Sequence, residues 1–403
     1  MSAVRLLRAD KVRVPFRRPF ATAAGMWLAR EAWLVRLIDG DGRIGVGEAV
    51  LEPADGETAA TVLDHLVRDV AAASGRGLPE AEELELHGAP GRALRAALDA
   101  ARFDLDGRPS RPLATGGTGV GVNATIASLG PAASAEAASQ ALEAGFTTIK
   151  LKAGAEHETE VLVARVRAVR AAVGPDVRLR LDVNGAWDLE TATERLSAVA
   201  RYGIEYVEQP LPGDDPAAFA ELRRRVGIPL AVDEAVTSVR AARVLLEAEA
   251  VDVLVVKPAR VGGPAVAAEI AALAAGRGVP VVVSTLFETG VGIAAALATA
   301  AALPDVDTSG LLRPPDHGLA TAGLLRHDLL VEGLVVEDGR MHLPGGAAPE
   351  GPAFEGTTAE RTAPDRTAPE RTAPERTAPG GLGIVIDEEA VARFGVETIG
   401  ALG

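Results

Sequence analysis

No cysteine occurs among the 403 residues. A disulfide framework, a thiolate nucleophile and a thiolate metal site are therefore excluded. Aromatic residues make up only 3% of the chain, so small and branched aliphatic side chains must fill the interior. The longest apolar run, residues 291–303, is too short to cross a bilayer and reads as a packed helix. Residues 1–8 lack the apolar core of a secretory signal, which points to a cytoplasmic protein. The formal net charge of −15 repels nucleic acid and anionic membranes, so the expected partner is a small molecule. The sequence leaves a homo-oligomer open.

The most informative scarcity is lysine. Lysine and arginine together number 41, yet only Lys11, Lys150, Lys152 and Lys257 are lysines. Arginine holds its proton at any physiological pH, whereas a lysine can release one when its surroundings lower its pKa. A chain that uses arginine elsewhere and keeps three lysines at two strand ends points to amine chemistry there. The plain alternative is a solvated charge.

Those strand ends belong to a series. Leu179, Leu181 and Val183 alternate with Arg180, Asp182 and Asn184, the period of a buried strand, and the run stops at Gly185. Similar runs end at Lys152, Glu208, Asp233, Lys257 and Ser284. Successive landmarks lie roughly 25 to 30 residues apart, the length of one strand, one helix and two loops in a β/α barrel. All strands of such a barrel end on one rim, so these side chains would converge. With 48% hydrophobic residues, the chain can bury one large domain and a smaller one.

The smaller part comes first. Residues 11–15 read as a short strand, and residues 32–38 and 44–49 as a hairpin turning at Asp39-Gly40-Asp41-Gly42. Residues 16–26, with no clear period, read as a loop over a binding site or a plain connection. Helices are expected over residues 57–73, 79–86 and 91–105. Gly116-Gly117-Thr118-Gly119-Val120-Gly121 lacks the spacing of a nucleotide-binding loop and leads into a strand; it opens barrel strand one, residues 120–126. The β/α alternation continues to about residue 302. Residues 334–343 read as a hairpin turning at Asp338-Gly339, and residues 383–387 as a strand followed by a short helix over 388–394, with the tail folding back onto the N-terminal sheet. Between them, Arg-Thr-Ala-Pro recurs at 361, 366, 371 and 376. Such a short period, with almost nothing to bury, reads as a disordered insertion.

Asp182, Glu208 and Asp233 offer three oxygen donors from three consecutive strands. Without cysteine or a suitable histidine pair, a hard cation such as Mg2+ fits them better than zinc. Lys152 precedes this trio and Lys257 follows it. Such a set suits removal of a proton alpha to a carboxylate, with the cation and an amine offsetting the charge that develops. Lys150 lies near enough to lower the pKa of Lys152, and Asn184 stands beside the first acid.

These motifs resemble the enolase superfamily, and specifically its muconate-lactonizing subgroup: Lys-X-Lys at 150–152, Asp-X-Asn at 182–184, Glu-Gln-Pro at 208–210, Asp-Glu at 233–234 and Lys257. The likeness covers nearly the whole chain and includes the helix around residues 97–105. It implies an α/β fold: a modified (β/α)7β TIM barrel with an N-terminal α+β capping domain completed by the C-terminal segment. The implied divisions are residues 1–115 for the cap and 116–325 for the barrel. Residues 326–344 and 381–403 would form the return, and 345–380 the insertion. The resemblance makes Asp182, Glu208 and Asp233 the Mg2+ ligands, Asn184 their neighbour, and Lys152 and Lys257 the acid/base pair. Lys150, Arg260, Ser284 and the amide of Gly290 would meet a carboxylate substrate.

Within the subgroup, residues 284–292 and 317–321 look most like o-succinylbenzoate synthases, lyases of menaquinone biosynthesis. Arg260 also suits N-acylamino-acid racemases. Dipeptide epimerase and muconate cycloisomerase share the same half-reaction, and a non-catalytic binding protein is the reading of a different class. If the repeat is an inert insertion, deleting residues 360–379 will leave turnover and melting temperature nearly unchanged. A large loss of turnover would give the repeat a role.

Overall fold

The computed structural model describes residues 4–22, 25–52, 55–73, 86–106, 119–127, 130–304, 306, 315–343 and 381–400. The helix read over residues 79–86, except Leu86, and the repeat segment 345–380 lie outside the described residues.

The chain opens with β1 (Arg5–Thr22), β2 (Gly25–Ile38) and β3 (Ile44–Ala49), followed by α1 (Gly56–Ala73) and α2 (Gly88–Asp106). The first two strands run further than their alternation suggested. Residues 16–22 and 25–26 belong to strands and not to a loop, because Phe20 pairs with Trp27, Ala21 with Met26 and Thr22 with Gly25. The register slips between Pro15 and Phe20, and that irregularity breaks the period of two by which a strand is recognised.

The helices pack on this sheet through a small-residue contact. A side chain at Gly45 would overlap the carbonyl of Ala101, and one at Gly47 the carbonyl of Ala97. Glycine at both positions lets α2 lie against β3, and Leu94, Ala97, Leu98 and Ala101 are buried there.

Next come β4 (Val120–Gly121), β5 (Ala124–Ile126), α3 (Pro131–Glu143), β6 (Thr148–Lys152), α4 (Thr159–Val173), β7 (Arg178–Asp182) and α5 (Leu189–Val199). They are followed by β8 (Ile204–Glu208), α6 (Pro216–Arg225), β9 (Leu230–Val232), α7 (Val239–Glu247), β10 (Val253–Val256), α8 (Pro258–Val261), α9 (Pro264–Ala275), β11 (Val281–Val283) and α10 (Gly290–Ala301). Strands β5 to β11 form one parallel sheet in chain order. The segment at His317 and Gly318 closes it, bridging to Val122 on one side and Ser284 on the other. The result is a seven-stranded β/α barrel with a short eighth stave.

Barrel strand one is not the single strand expected over residues 120–126. Its first residues, β4, pair instead with the later hairpin of β12 (Val336–Glu337) and β13 (Arg340–Met341). That hairpin turns at Asp338 and Gly339, both left-handed at φ 47° and 67°, the geometry of a tight two-residue turn.

The chain ends with α11 (Glu388–Phe394) and β14 (Gly395–Gly400). β14 pairs antiparallel with β1, giving the sheet order β14-β1-β2-β3. The return to the N-terminal sheet is therefore made by β14. Residues 383–387, read as a strand, contribute only a bridge between Ile386 and Leu330, and the helix read over 388–394 is α11. Asp104 fixes the approach: its carboxylate accepts the N–H groups of Val46 and Leu382, and its carbonyl accepts that of Gly381.

The barrel's apolar layer lies between strands and helices. Ile149, Leu151, Leu179, Leu181 and Val207 pack outward against Val166, Leu196 and Phe219. The opposite face of each strand is left to point into the barrel, where the polar residues of the rim stand.

The α2–β3 contact gives a direct test. Gly47→Val should destabilise the protein by about 3 kcal/mol through overpacking against backbone. Gly227→Val, with open space around the added side chain, should change little in the same denaturant titration.

Candidate active site

Strand register assembles the site. Lys152 pairs with Asp182 across β6 and β7, and Asp182 pairs with Glu208 across β7 and β8. One row therefore carries an amine and two carboxylates over three adjacent strands. Asp233 follows β9 directly, and Lys257 follows β10. The period of two that sends the leucines outward sends all five charges inward.

The side chains form two neighbouring ionic clusters. Lys152 Nζ donates to Asp182 Oδ2 at 2.7 Å and to Asn184 Oδ1 at 2.9 Å. Lys150 Nζ lies between Asp182 and Glu208, at 3.0 and 3.1 Å. Lys257 Nζ donates to Asp233 Oδ2 at 2.6 Å. The guanidinium of Arg260 donates to the other oxygen of Asp233, to its carbonyl and to Glu52. Asp182, Glu208 and Asp233 are almost fully buried, and Lys152 is the most exposed of the three amines.

Burial opposes the charge on every member, so neighbours decide each pKa. Burial pushes the Asp182 carboxyl up, but Lys150 and Lys152 outweigh it and hold the group well below the usual range. Asp233 behaves alike, held down to about 2 by Arg260 and Lys257 against burial. Glu208 goes the other way, to about 7, through burial and the Asp182 and Asp233 carboxylates. For Lys150, burial is outweighed by Asp182 and Glu208, and its pKa rises. For Lys257, burial and Arg260 push down, but Asp233, Glu52 and Glu234 prevail and the pKa rises. The surrounding carboxylates thus hold these two amines charged.

Supporting residues extend the set. Asn184 passes its amide to Glu234 Oε1 at 2.9 Å, so its oxygen faces Lys152. Gln209 is fully buried and uses its whole amide: its oxygen accepts the Asp233 N–H at 3.0 Å, and its nitrogen donates to the carbonyls of Leu211 and Gly213. Its backbone joins Gly185 on one side to Ala231 on the other. Glu234 and Gln209 were visible only as companions of the acidic residues. Glu52 arrives from the N-terminal sheet, more than 200 positions from Arg260, with no local pattern to flag it.

Two expected substrate contacts are used internally. The Gly290 N–H donates to Asp328 Oδ1 at 2.7 Å, so the helix start there is already capped by a carboxylate and the amide is not offered to a ligand. Ser284 Oγ donates to the Gly318 carbonyl at 3.3 Å, where it helps seat the eighth stave. Lys11, the remaining lysine, pairs with Asp64 at 2.6 Å, away from the rim.

The donor chemistry suits a hard divalent cation. Three carboxylates come from adjacent strands, and Asp182 Oδ1 is buried without a partner. The carboxylates are turned onto amines, and no three acidic or histidine side chains among the described residues stand in a closed ligand set. The ammonium and guanidinium groups thus supply the counter-charge that a cation would share.

Comparison with known proteins agrees with this geometry. Residues 133–390 match the model of the enolase C-terminal domain-like family. An o-succinylbenzoate synthase from Thermobifida fusca is 42% identical over 221 residues, spanning 55% of this chain and 65% of that protein. An N-succinylamino acid racemase from Thermus thermophilus is 34% identical over 349 residues, covering 83% of this chain and 90% of that protein. Among solved structures, a dipeptide epimerase from Enterococcus faecalis, complexed with Mg and the dipeptide L-Leu-L-Tyr, superposes with a TM-score of 0.72 at 26% identity. It covers 85% of this chain and 96% of its own. The barrel, its closing stave and these matches together establish that the chain belongs to the enolase superfamily.

Proposed function

We propose that this chain is an o-succinylbenzoate synthase-like lyase: it removes the proton alpha to a carboxylate and then expels hydroxide from the same face. The reading rests chiefly on one observation. Two ammonium groups, on the ends of β6 and β10, flank the carboxylates of Asp182, Glu208 and Asp233. The 42% identity to an o-succinylbenzoate synthase supports the choice of reaction.

Asp182, Glu208 and Asp233 would hold the Mg2+. When bound, the cation supplies positive charge against the enediolate that builds on the substrate carboxylate. Lys152, the more open amine, takes the alpha proton in its neutral form. The electron pair left on carbon forms the new double bond as the C–O bond breaks. Lys152, now an ammonium, returns its proton to the departing hydroxide, so water leaves and the amine is regenerated. Lys257 keeps its charge and faces the enediolate from the opposite side. Asn184, held by Glu234, fixes the direction from which Lys152 approaches.

A second reading has its own support. The N-succinylamino acid racemase aligns over far more of this chain than the synthase does. Amines on opposite sides of one carbon also suit removal of a proton from one face and its return on the other. A comparison of kcat/KM between the o-succinylbenzoate precursor and a panel of N-succinyl amino acids separates the two. Dehydration should dominate, and a higher kcat/KM on the panel would reverse the assignment.

Lys152→Ala and Lys257→Ala should each lower turnover of the precursor by about 10²–10⁴-fold, the usual contribution of a positioned acid or base. Far-ultraviolet circular dichroism should stay native. Substantial activity in both variants would defeat the acid/base assignment. Mg2+ should raise the melting temperature, with a stabilisation of about 2.7 kcal/mol at a hundredfold excess over Kd. An unchanged melting curve would argue against a metal site.

A further inference from the structure

Beside the rim, the N-terminal sheet and the barrel enclose a crevice of about 160 Å³. Glu234 and Arg260 line its barrel side, next to Asp233. Val50, Leu51 and Glu52 line the sheet side, and Leu286 lines it from the barrel. Its two walls belong to different parts of the fold, so something must set their separation.

Arg30, on β2 and 2% exposed, spans that separation. Its Nη1 donates to the Leu51 carbonyl at 2.8 Å, and its Nη2 to the Leu286 carbonyl. One rigid guanidinium thus grips one backbone oxygen on each wall. Its cation also lies over the Trp27 ring, 5.0 Å from the centroid.

The barrel side of this grip is held under constraint. Phe287 is left-handed at φ 62°, an unfavourable state for an aromatic residue. The turn is kept by Glu288, whose carboxylate accepts the Leu286 N–H. Glu48, on β3, reaches across from the sheet to the start of α10. Its two oxygens accept the N–H groups of Thr289 and Gly292, at 3.0 and 2.9 Å, and the Thr289 hydroxyl at 2.7 Å. A side chain at Gly292 would strike Cβ and Cγ of Glu288 at 2.6 Å and crowd a Glu48 oxygen at 3.1 Å, so glycine leaves room for both side chains. Arg30, Glu48 and Glu288 are each buried to within 3% of full. A cluster this deep is costly unless its charges are paired and hydrogen-bonded.

We propose that Arg30 is a positioning residue: by bonding the carbonyls of Leu51 and Leu286 together, it sets the width of the substrate crevice and seats the sheet on the barrel. Naming the crevice a substrate chamber rests on the function proposed above; the clamp itself does not. Arg30 acts through the two backbone walls, and it touches none of Asp182, Glu208 or Asp233.

The fork of the guanidinium matters more than its charge. An ammonium is a single point of donation and cannot hold two carbonyls at the same fixed spacing. Arg30→Lys should therefore fail to rescue what Arg30→Met loses. Three measurements test this on the full chain. Hydrogen exchange should speed at least tenfold across residues 286–292 in both variants, and stay unchanged in the β6–β8 strands. Titration calorimetry should give Mg2+ affinity within about threefold of the parent. KM for the o-succinylbenzoate precursor should rise at least tenfold while kcat falls less than threefold.

Exchange over residues 286–292 that matches the parent in Arg30→Lys would overturn the clamp, and this readout needs no turnover. A parallel loss of Mg2+ affinity, or equal losses in kcat and KM, would overturn the positioning role and make the effect a general one. Lysine keeping a parental KM would show that charge alone is needed. If Arg30→Met does not fold, Arg30→Lys carries all three measurements. A chain inactive on the precursor would fail the proposed function, while the exchange result still decides the clamp.

Discussion

Three buried carboxylates on adjacent strand ends are the constraint around which this protein is built. Each loses its water and would repel the others, so none can remain ionised without a counter-charge within reach. Lys150, Lys152, Lys257 and Arg260 provide it. The unevenness of the result is informative. Asp182 and Asp233 each contact two cationic groups and are held low, whereas Glu208 contacts Lys150 alone and is pushed up. Burial is the largest cause of the rise at Glu208, which leaves it the carboxylate with most to gain from a further cation.

That electrostatic demand explains why the surrounding polar residues are so fully committed. Gln209 turns left-handed, at φ 43°, to join three strands and to bind the Asp233 backbone. Asn184, also left-handed at φ 51°, turns its oxygen toward one amine and its nitrogen toward Glu234. Two strained residues at the ends of neighbouring strands indicate that placement of these side chains outweighs local backbone comfort. The N-terminal sheet contributes in the same way, since Glu52 holds Arg260 and Arg30 holds both walls of the crevice. The cap is thus part of the site rather than a lid laid over it.

Much of this could be read in the sequence because barrel strands obey a strict alternation. Leu179, Leu181 and Val183 announced a buried face, which fixed the inward direction of Asp182. The spacing of later strand ends carried the argument around the rim. What resisted reading was non-local or irregular. The slip between Pro15 and Phe20 hid the far half of the first hairpin. The tail's return to the N-terminal sheet is expected from the sequence, but β14, which makes it, is short and largely exposed and does not read as a strand. The Gly290 amide looked free because its partner, Asp328, lies 38 positions away. Position along a strand is legible from neighbours in sequence; a hydrogen-bond partner across the fold is not.

The scarcity of lysine also changes what bulk chemistry on this protein means. On most surfaces an acylating or reductive-methylating reagent meets many equivalent amines, and its signal is an average. Here three of the four ε-amines stand on one barrel rim, in two neighbouring ionic clusters, and the fourth is tied to Asp64. Amine-directed labelling of this chain is therefore close to a report on a single locality.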